Sequence, residues 1–191
     1  MDRRWVYAGL GVVAGVGLLR ALWPSRPRVL SGQTRLLLIG DSLAVGLGPP
    51  LRALSKDQSV SFDVLAKEST RIDQWAGSQK LTEKLQSFQP TLVLVSLGTN
   101  DEYLAGDGGK RQAPYLEQLL VRLGPVEVGW IGPPTLPKAA SNGVTGLLQT
   151  RISASHYFHS EALTIPRGPD KLHPTLKGYA GWAGMIWQWL S

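Results

Sequence analysis

Short apolar runs alternate with segments of helical periodicity along most of this chain, and this alternation restricts the fold more than any other feature. Residues 36–39 and 92–95 are uninterrupted apolar runs of strand length. Such runs are typical of parallel strands that are buried on both faces. Strands that alternate with helices form parallel sheets with right-handed crossovers. The pattern therefore predicts an α/β fold with a central parallel sheet covered by helices on both sides.

The boundaries of these elements follow from breaker residues and from the apolar stripe of each helix. Strands are predicted near residues 36–39, 60–65, 91–97, 126–131 and 157, and helices at 44–54, 72–88, 114–123, 143–154 and after the capping residue Thr175. Pro49 and Pro50 are expected to interrupt or restart the first helix, because proline lacks the N–H that a helix interior uses.

The net charge of +6 is concentrated at the N-terminus. Residues 1–35 contain six arginines and one aspartate, whereas the remaining residues contain 14 basic and 13 acidic side chains. A globular part that is nearly neutral offers no broad basic face to a phosphate backbone, so a nucleic-acid partner is not expected. The absence of cysteine excludes disulfides, thiolate nucleophiles and cysteine-bound zinc.

The basic N-terminal residues flank an apolar segment. Residues 5–19 carry no charge, and the segment extends to Trp23 if Arg20 snorkels to the interface. Such a helix approaches the ~30 Å hydrocarbon thickness of a bilayer. A cleaved signal peptide is the alternative, but no Ala-x-Ala-like site follows the segment, which favours an uncleaved anchor. The predicted organisation is a membrane anchor at residues 1–23, a linker at 24–33 and one domain at 34–191.

Polar residues follow several predicted strands where the chain leaves the sheet. Ser42 follows the first strand, Asn100 follows the strand at 91–97, and Asp170 and His173 lie together in the last loop. A serine becomes a useful nucleophile when a base accepts its proton, a third group orients that base, and donors bind the developing oxyanion. These residue types supply each part. Taken alone, however, the residues around Ser42 also suit an ordinary turn followed by a helix cap.

Three motifs in this order resemble the SGNH hydrolases, also called the GDSL family of serine esterases and lipases. The motifs are Gly40-Asp41-Ser42-Leu43, Gly98-Thr99-Asn100-Asp101 and Asp170-Lys171-Leu172-His173-Pro174. The resemblance implies a flavodoxin-like three-layer α/β/α sandwich. It also implies that Ser42 is the nucleophile, His173 the base and Asp170 its orienting partner, with the Ser42 backbone N–H and the Asn100 side chain as oxyanion donors. No metal or organic cofactor is implied.

One position departs from the family pattern. Ser69 stands where these enzymes usually have a glycine whose backbone N–H completes the oxyanion hole. Serine also has a backbone N–H, so Ser69 is the expected third donor. Asp41 and Asp101 are expected to stabilise loops and not to act as catalytic acids. His156 and His159 lack a third nearby ligand, so no metal site is predicted.

The resulting prediction is a membrane-anchored serine esterase that acts through an acyl-enzyme. Its substrate would be an O-acetylated envelope glycan or a lipid ester. The expected location is the cell membrane, with a single span and the catalytic domain on the external or periplasmic side. The alternative is a membrane-tethered binding module of the same fold that is weakly active or inactive, which the serine at position 69 motivates.

Overall fold

A five-stranded parallel sheet forms the centre of the domain in a computed structural model, which describes residues 30–136 and 141–191. The strands are β1 (Arg35–Gly40), β2 (Ser61–Ala66), β3 (Leu92–Ser96), β4 (Glu127–Ile131) and β5 (Tyr157–Phe158). Their order in the sheet is β2-β1-β3-β4-β5, and every neighbouring pair is parallel. This arrangement confirms the α/β fold and the parallel sheet predicted from the sequence.

Helices cover both faces of the sheet and complete a three-layer sandwich. Within the described residues they are α1 (Ser42–Asp57), α2 (Ile72–Ala76), α3 (Gln79–Phe88), α4 (Gly108–Leu123), α5 (Val144–Arg151) and α6 (Leu176–Leu190). Helices α1 and α6 pack on one face, and α2 to α5 pack on the other. In the part of the chain that the structure describes, three short 3-10 segments lie in the connections, at Asp101–Tyr103, Ala154–His156 and Ser160–Ala162.

Strand β1 is apolar at four consecutive positions because both of its faces are covered by helices. Leu37 and Ile39 point into the layer of α2 to α5, whereas Leu36 and Leu38 point into the layer of α1 and α6. All four side chains are fully buried. Since side chains alternate between the faces of a strand, a strand between two helical layers needs an apolar residue at every position.

Three helix predictions need correction. The segment at 72–88 forms two helices, because Gly77 and Ser78 end α2 and Ser78 starts α3 by accepting a hydrogen bond from the Leu81 N–H. Pro49 and Pro50 lie inside a continuous α1 and do not interrupt it. Helix α4 begins six residues before the predicted start, where Asp107 caps it through the Lys110 N–H.

The predicted membrane anchor at residues 1–23 lies outside the described residues, as does most of the predicted linker. Within the described ranges, no helix has the length and apolar character needed to cross a membrane.

Candidate active site

The nucleophile candidate lies at the carboxyl edge of the sheet. Gly40 ends β1 so close to β3 that a Cβ atom there would lie 2.1 Å from the Ser96 carbonyl oxygen. Only glycine fits at this point, and the chain turns directly into α1. Asp41 caps that helix by accepting a hydrogen bond from the Leu43 N–H at 2.9 Å. Ser42 is therefore the first residue of α1 and remains only half-buried.

A chain of hydrogen bonds connects Ser42 to the last loop. The Ser42 Oγ lies 2.9 Å from Nε2 of His173, and Nδ1 of His173 lies 2.7 Å from Oδ2 of Asp170. The structure thus brings together three side chains that the sequence separates by up to 131 positions. Both His173 and Asp170 are solvent-accessible, with 40% and 51% of their side chains exposed.

The Asp170 carboxylate fixes the protonation pattern of the imidazole. Its Oδ1 accepts hydrogen bonds from the Leu172 and His173 N–H groups at 2.9 and 3.0 Å, which holds the turn in place. The hydrogen bond from the His173 side chain, followed by those two backbone donors, lowers the pKa of Asp170 to about 2. An ionised carboxylate at Nδ1 favours a proton on that nitrogen. Nε2 is then free to accept a proton from Ser42.

Arg167 binds this loop to the segment that follows β4, a role that the sequence did not reveal. Its guanidinium donates to the carbonyl oxygens of Leu172 and of Thr135, the latter at 2.7 Å. The Gly168 N–H also donates to the His173 carbonyl oxygen at 2.8 Å. The loop with the imidazole is therefore attached to the segment that follows β4.

The residues expected to bind an oxyanion lie beside the nucleophile candidate. The Asn100 Nδ2 donates to the Thr70 carbonyl oxygen at 2.9 Å and contacts Oδ2 of Asp41 at 3.4 Å. Ser69 directly precedes Thr70 in the turn after β2 and has the left-handed φ of 59°. That turn begins next to Gly40, because the Lys67 N–H donates to the Gly40 carbonyl oxygen. As the first helical residue, Ser42 has a backbone N–H without an acceptor within α1.

Two buried carboxyl groups support these loops. Asp41 binds the Leu43 N–H, and Asp101 accepts from the Ile72 N–H at 3.3 Å, which ties the Asn100 loop to the start of α2. Both side chains are fully buried. Burial raises the pKa of each carboxyl group to about 7. The two aspartates bind backbone groups, as expected from the sequence.

The other two histidines lie in unrelated environments. Nδ1 of the buried His156 contacts the Ser153 hydroxyl at 2.7 Å, and burial lowers its pKa. His159 instead pairs with Glu161 at 2.7 Å. Among residues 30–136 and 141–191, no group of three or more His, Cys, Asp or Glu side chains is arranged to bind a metal ion.

Solved structures with a similar fold include several esterases. Similar solved structures include a family 3 carbohydrate esterase of Clostridium thermocellum, with 20% identity over 81% of this chain and 94% of that one, at a TM-score of 0.63. An acetyl xylan esterase of Geobacillus stearothermophilus has 14% identity over 86% and 97%, at 0.63. A GDSL-like lipase of Bacteroides thetaiotaomicron has 13% identity over 94% and 96%, at 0.57. The chain has the SGNH hydrolase fold, as its three motifs predicted.

A family model matches more than half of the chain. Residues 35–155 match the family described as "Protein of unknown function (DUF459)", and the chain belongs to that family. No curated protein matches the chain. The matched range includes Ser42, Ser69 and Asn100, whereas Asp170 and His173 lie beyond its end.

Proposed function

We propose that this chain is a serine esterase that hydrolyses a carboxylic ester through an acyl-enzyme. The observation that carries the proposal is the hydrogen-bonded series from Ser42 through His173 to Asp170 at the carboxyl edge of a parallel sheet. Ligands bind at that edge in open α/β folds. The series has the order of nucleophile, base and orienting carboxylate that acyl transfer needs.

Acylation begins when the Ser42 Oγ attacks the ester carbonyl carbon and Nε2 of His173 takes the hydroxyl proton. The Asp170 carboxylate, 2.7 Å from Nδ1, stabilises the imidazolium that forms. When the tetrahedral intermediate collapses, His173 returns the proton to the oxygen of the leaving alcohol. The ester C–O bond breaks, and the acyl group remains on Ser42.

Deacylation repeats these steps with water. His173 removes a proton from a water molecule, whose oxygen attacks the acyl carbonyl carbon, and then protonates the Ser42 Oγ as the acid leaves. In both halves the carbonyl oxygen becomes negatively charged. The N–H groups of Ser42 and Ser69 and the Asn100 amide are the proposed donors to that charge. The position of Asn100 next to the Ser69-Thr70 turn supports this assignment.

The accessibility of the site supports an ester carried on a large alcohol. The base and its carboxylate partner are 40% and 51% exposed, so the reacting atoms are open to a polymer-borne ester. Two of the similar structures are by name a carbohydrate esterase and an acetyl xylan esterase. We therefore propose an O-acetylated glycan as the substrate class.

The test compares acetyl and octanoyl chromogenic esters with wild-type protein and Ser42→Ala. We expect acetyl esters to be preferred, and Ser42→Ala to lower turnover by about 10³-fold or more. Ser87→Ala is the matched control, because Ser87 is an exposed serine on α3 whose side chain donates a hydrogen bond to the Lys84 carbonyl oxygen, within its own helix. Turnover by Ser42→Ala at the wild-type rate would refute the mechanism. A wild type without esterase activity would favour the binding module.

We also propose that residues 1–23 anchor the domain at a membrane, with the active site on the external side. The support is the uncharged segment at residues 5–19 between arginines. The full chain should stay in the membrane pellet at high salt, whereas residues 34–191 should stay in the supernatant and keep esterase activity. Protease accessibility on intact cells tests the side. Release of the full chain by salt alone would contradict the anchor.

A further inference from the structure

We propose that Asp41 is a positioning residue of the oxyanion hole, and that its buried carboxyl group orients the Asn100 amide relative to the Ser42 backbone N–H. This inference rests on the proposed esterase function. It goes further by assigning a catalytic consequence to a side chain that never touches the substrate.

The two oxygens of the Asp41 carboxyl group contact two different parts of the site. Oδ1 accepts from the Leu43 N–H at 2.9 Å and so fixes the first turn of α1, where Ser42 lies. Oδ2 lies 3.4 Å from the Asn100 Nδ2, in the loop after β3. One rigid carboxyl group therefore connects the element that carries the nucleophile to the element that carries the side-chain donor.

The contacts of Asn100 show which of its hydrogens can serve catalysis. The side-chain amide has two N–H hydrogens. The contact with the Thr70 carbonyl oxygen, at 2.9 Å, is a normal hydrogen bond, whereas the contact with Asp41 at 3.4 Å is long. The hydrogen that faces Asp41 is the one that a developing oxyanion can take at the smaller cost. Thr70 and Asp41 together keep the amide from rotating before the oxyanion forms.

Capping alone does not account for the burial of Asp41. Asp107 caps α4 in the same way, through the Lys110 N–H at 2.8 Å, and it does so while exposed to solvent. Asp41 performs its cap with no solvent exposure. Burying a carboxyl group is costly unless its oxygens have partners, and burial accordingly raises the pKa of Asp41 to about 7. The buried position is the one from which Asp41 reaches Asn100.

The test separates positioning from capping by substitution. Asp41→Ser keeps a side-chain oxygen that can cap α1 but is too short to reach Asn100. Asp41→Asn keeps the size of the side chain but has only one oxygen, so it can serve as acceptor for only one of the two contacts. Each variant is combined with Asn100→Ala, and kcat and KM are measured on an acetyl ester. Asp107→Asn is the control for a conservative change at an aspartate cap.

We expect Asp41→Ser and Asp41→Asn to lower kcat by about 10-fold, with KM changed by less than about twofold. In the Asn100→Ala background the same substitutions should change kcat by less than about twofold, because the residue through which Asp41 acts is gone. Asp107→Asn should leave kcat within about twofold of the wild type in either background.

The outcomes distinguish this inference from the function on which it rests. Equal losses of kcat with and without Asn100 would overturn the positioning role, and so would wild-type kcat in both Asp41 variants, while Ser42-dependent hydrolysis would leave the esterase assignment intact. Absence of Ser42-dependent hydrolysis in the wild type would overturn both. If one Asp41 variant fails to fold, the comparison of the other variant with and without Asn100→Ala decides whether Asp41 acts through Asn100.

Discussion

Ser69→Gly removes a strained residue from a proposed oxyanion donor position. Ser69 has a φ of 59°, a region in which a Cβ atom costs roughly 1–2 kcal/mol. Glycine removes that strain but adds about 0.4–1 kcal/mol of unfolded-state entropy. The net expectation is a gain of about 0.5–1 kcal/mol in the free energy of unfolding, or roughly 1–4 °C in Tm.

A matched control separates stability from activity. Ser59 is an exposed serine with a φ of 57°. It lies in the turn before β2, at the amino ends of the strands, whereas Ser42 lies at their carboxyl ends. Ser59→Gly should give a similar gain in stability without a change in turnover. Ser69→Gly should retain or raise turnover, because the backbone N–H stays in place while the strain is relieved.

The assays are urea unfolding and steady-state hydrolysis of an acetyl ester, run on both variants and on Asn100→Ala. Asn100→Ala should lose about 10²-fold in turnover, which would show that the assay reports on the proposed oxyanion hole. A loss of 10-fold or more in Ser69→Gly, with its stability raised, would refute the reasoning. That result would mean that the serine side chain itself contributes to the reaction.

Three further predictions follow from other contacts. Asp170→Asn should lower kcat by about 10²-fold or more in steady-state assays, because the amide no longer fixes the proton on Nδ1 of His173; an unchanged kcat would contradict the proposed role. For Asp101, whose pKa is raised to about 7, the native state binds more protons than the unfolded state between about pH 4 and 7. The contribution of Asp101 to stability is therefore lost as pH rises through that window. In urea titrations, the free energy of unfolding of Asp101→Asn minus that of the wild type should increase by on the order of 2–4 kcal/mol from pH 4 to pH 8. A difference that does not change with pH would refute this. Gly40→Ala should cost about 2 kcal/mol or more in unfolding experiments, because its Cβ would meet the Ser96 carbonyl oxygen at 2.1 Å; wild-type stability would contradict the packing described.

The strands could be predicted because their burial is written locally in the sequence. Residues 36–39 are apolar at every position since both faces of β1 are covered, and no distant information is needed to recognise that pattern. The polar residues at strand ends were equally visible, because parallel strands bring their carboxyl ends to one edge. The meeting of Ser42 with His173 followed from that rule and from the motif order.

Helix interruptions were predicted less accurately than strands, because packing competes with the local preference of the residues. A proline inside a helix costs about 3 kcal/mol or more. The buried leucines of α1, at positions 43, 47 and 51, lie on both sides of Pro49 and Pro50. Each contributes about 1.5–3 kcal/mol on burial. Together the three leucines contribute about 4.5–9 kcal/mol, which is comparable to the cost of two prolines, and the helix continues through them.

Contacts of single side chains that belong to no motif, or that depend on exact strand spacing, could not be predicted. Arg167 carries no motif, yet it binds the carbonyl oxygens of Leu172 and Thr135 on two different loops. The contact of Asp41 with Asn100 depends on the spacing of β1 and β3 and on the rotamers at their ends. Neither can be read from residue types alone.

Asp170 and His173 lie within one short turn, and this has a mechanical consequence. Two backbone N–H groups of that turn bind the same carboxylate that binds the imidazole, so the pair moves as one body with its loop. A displacement of the loop would leave the aspartate–histidine bond intact, and would change the 2.9 Å separation between Nε2 and the Ser42 hydroxyl together with the contact between Arg167 and Thr135. The distance between the proposed nucleophile and its base would then depend on the position of one loop, whereas the orientation of the imidazole against its carboxylate would not.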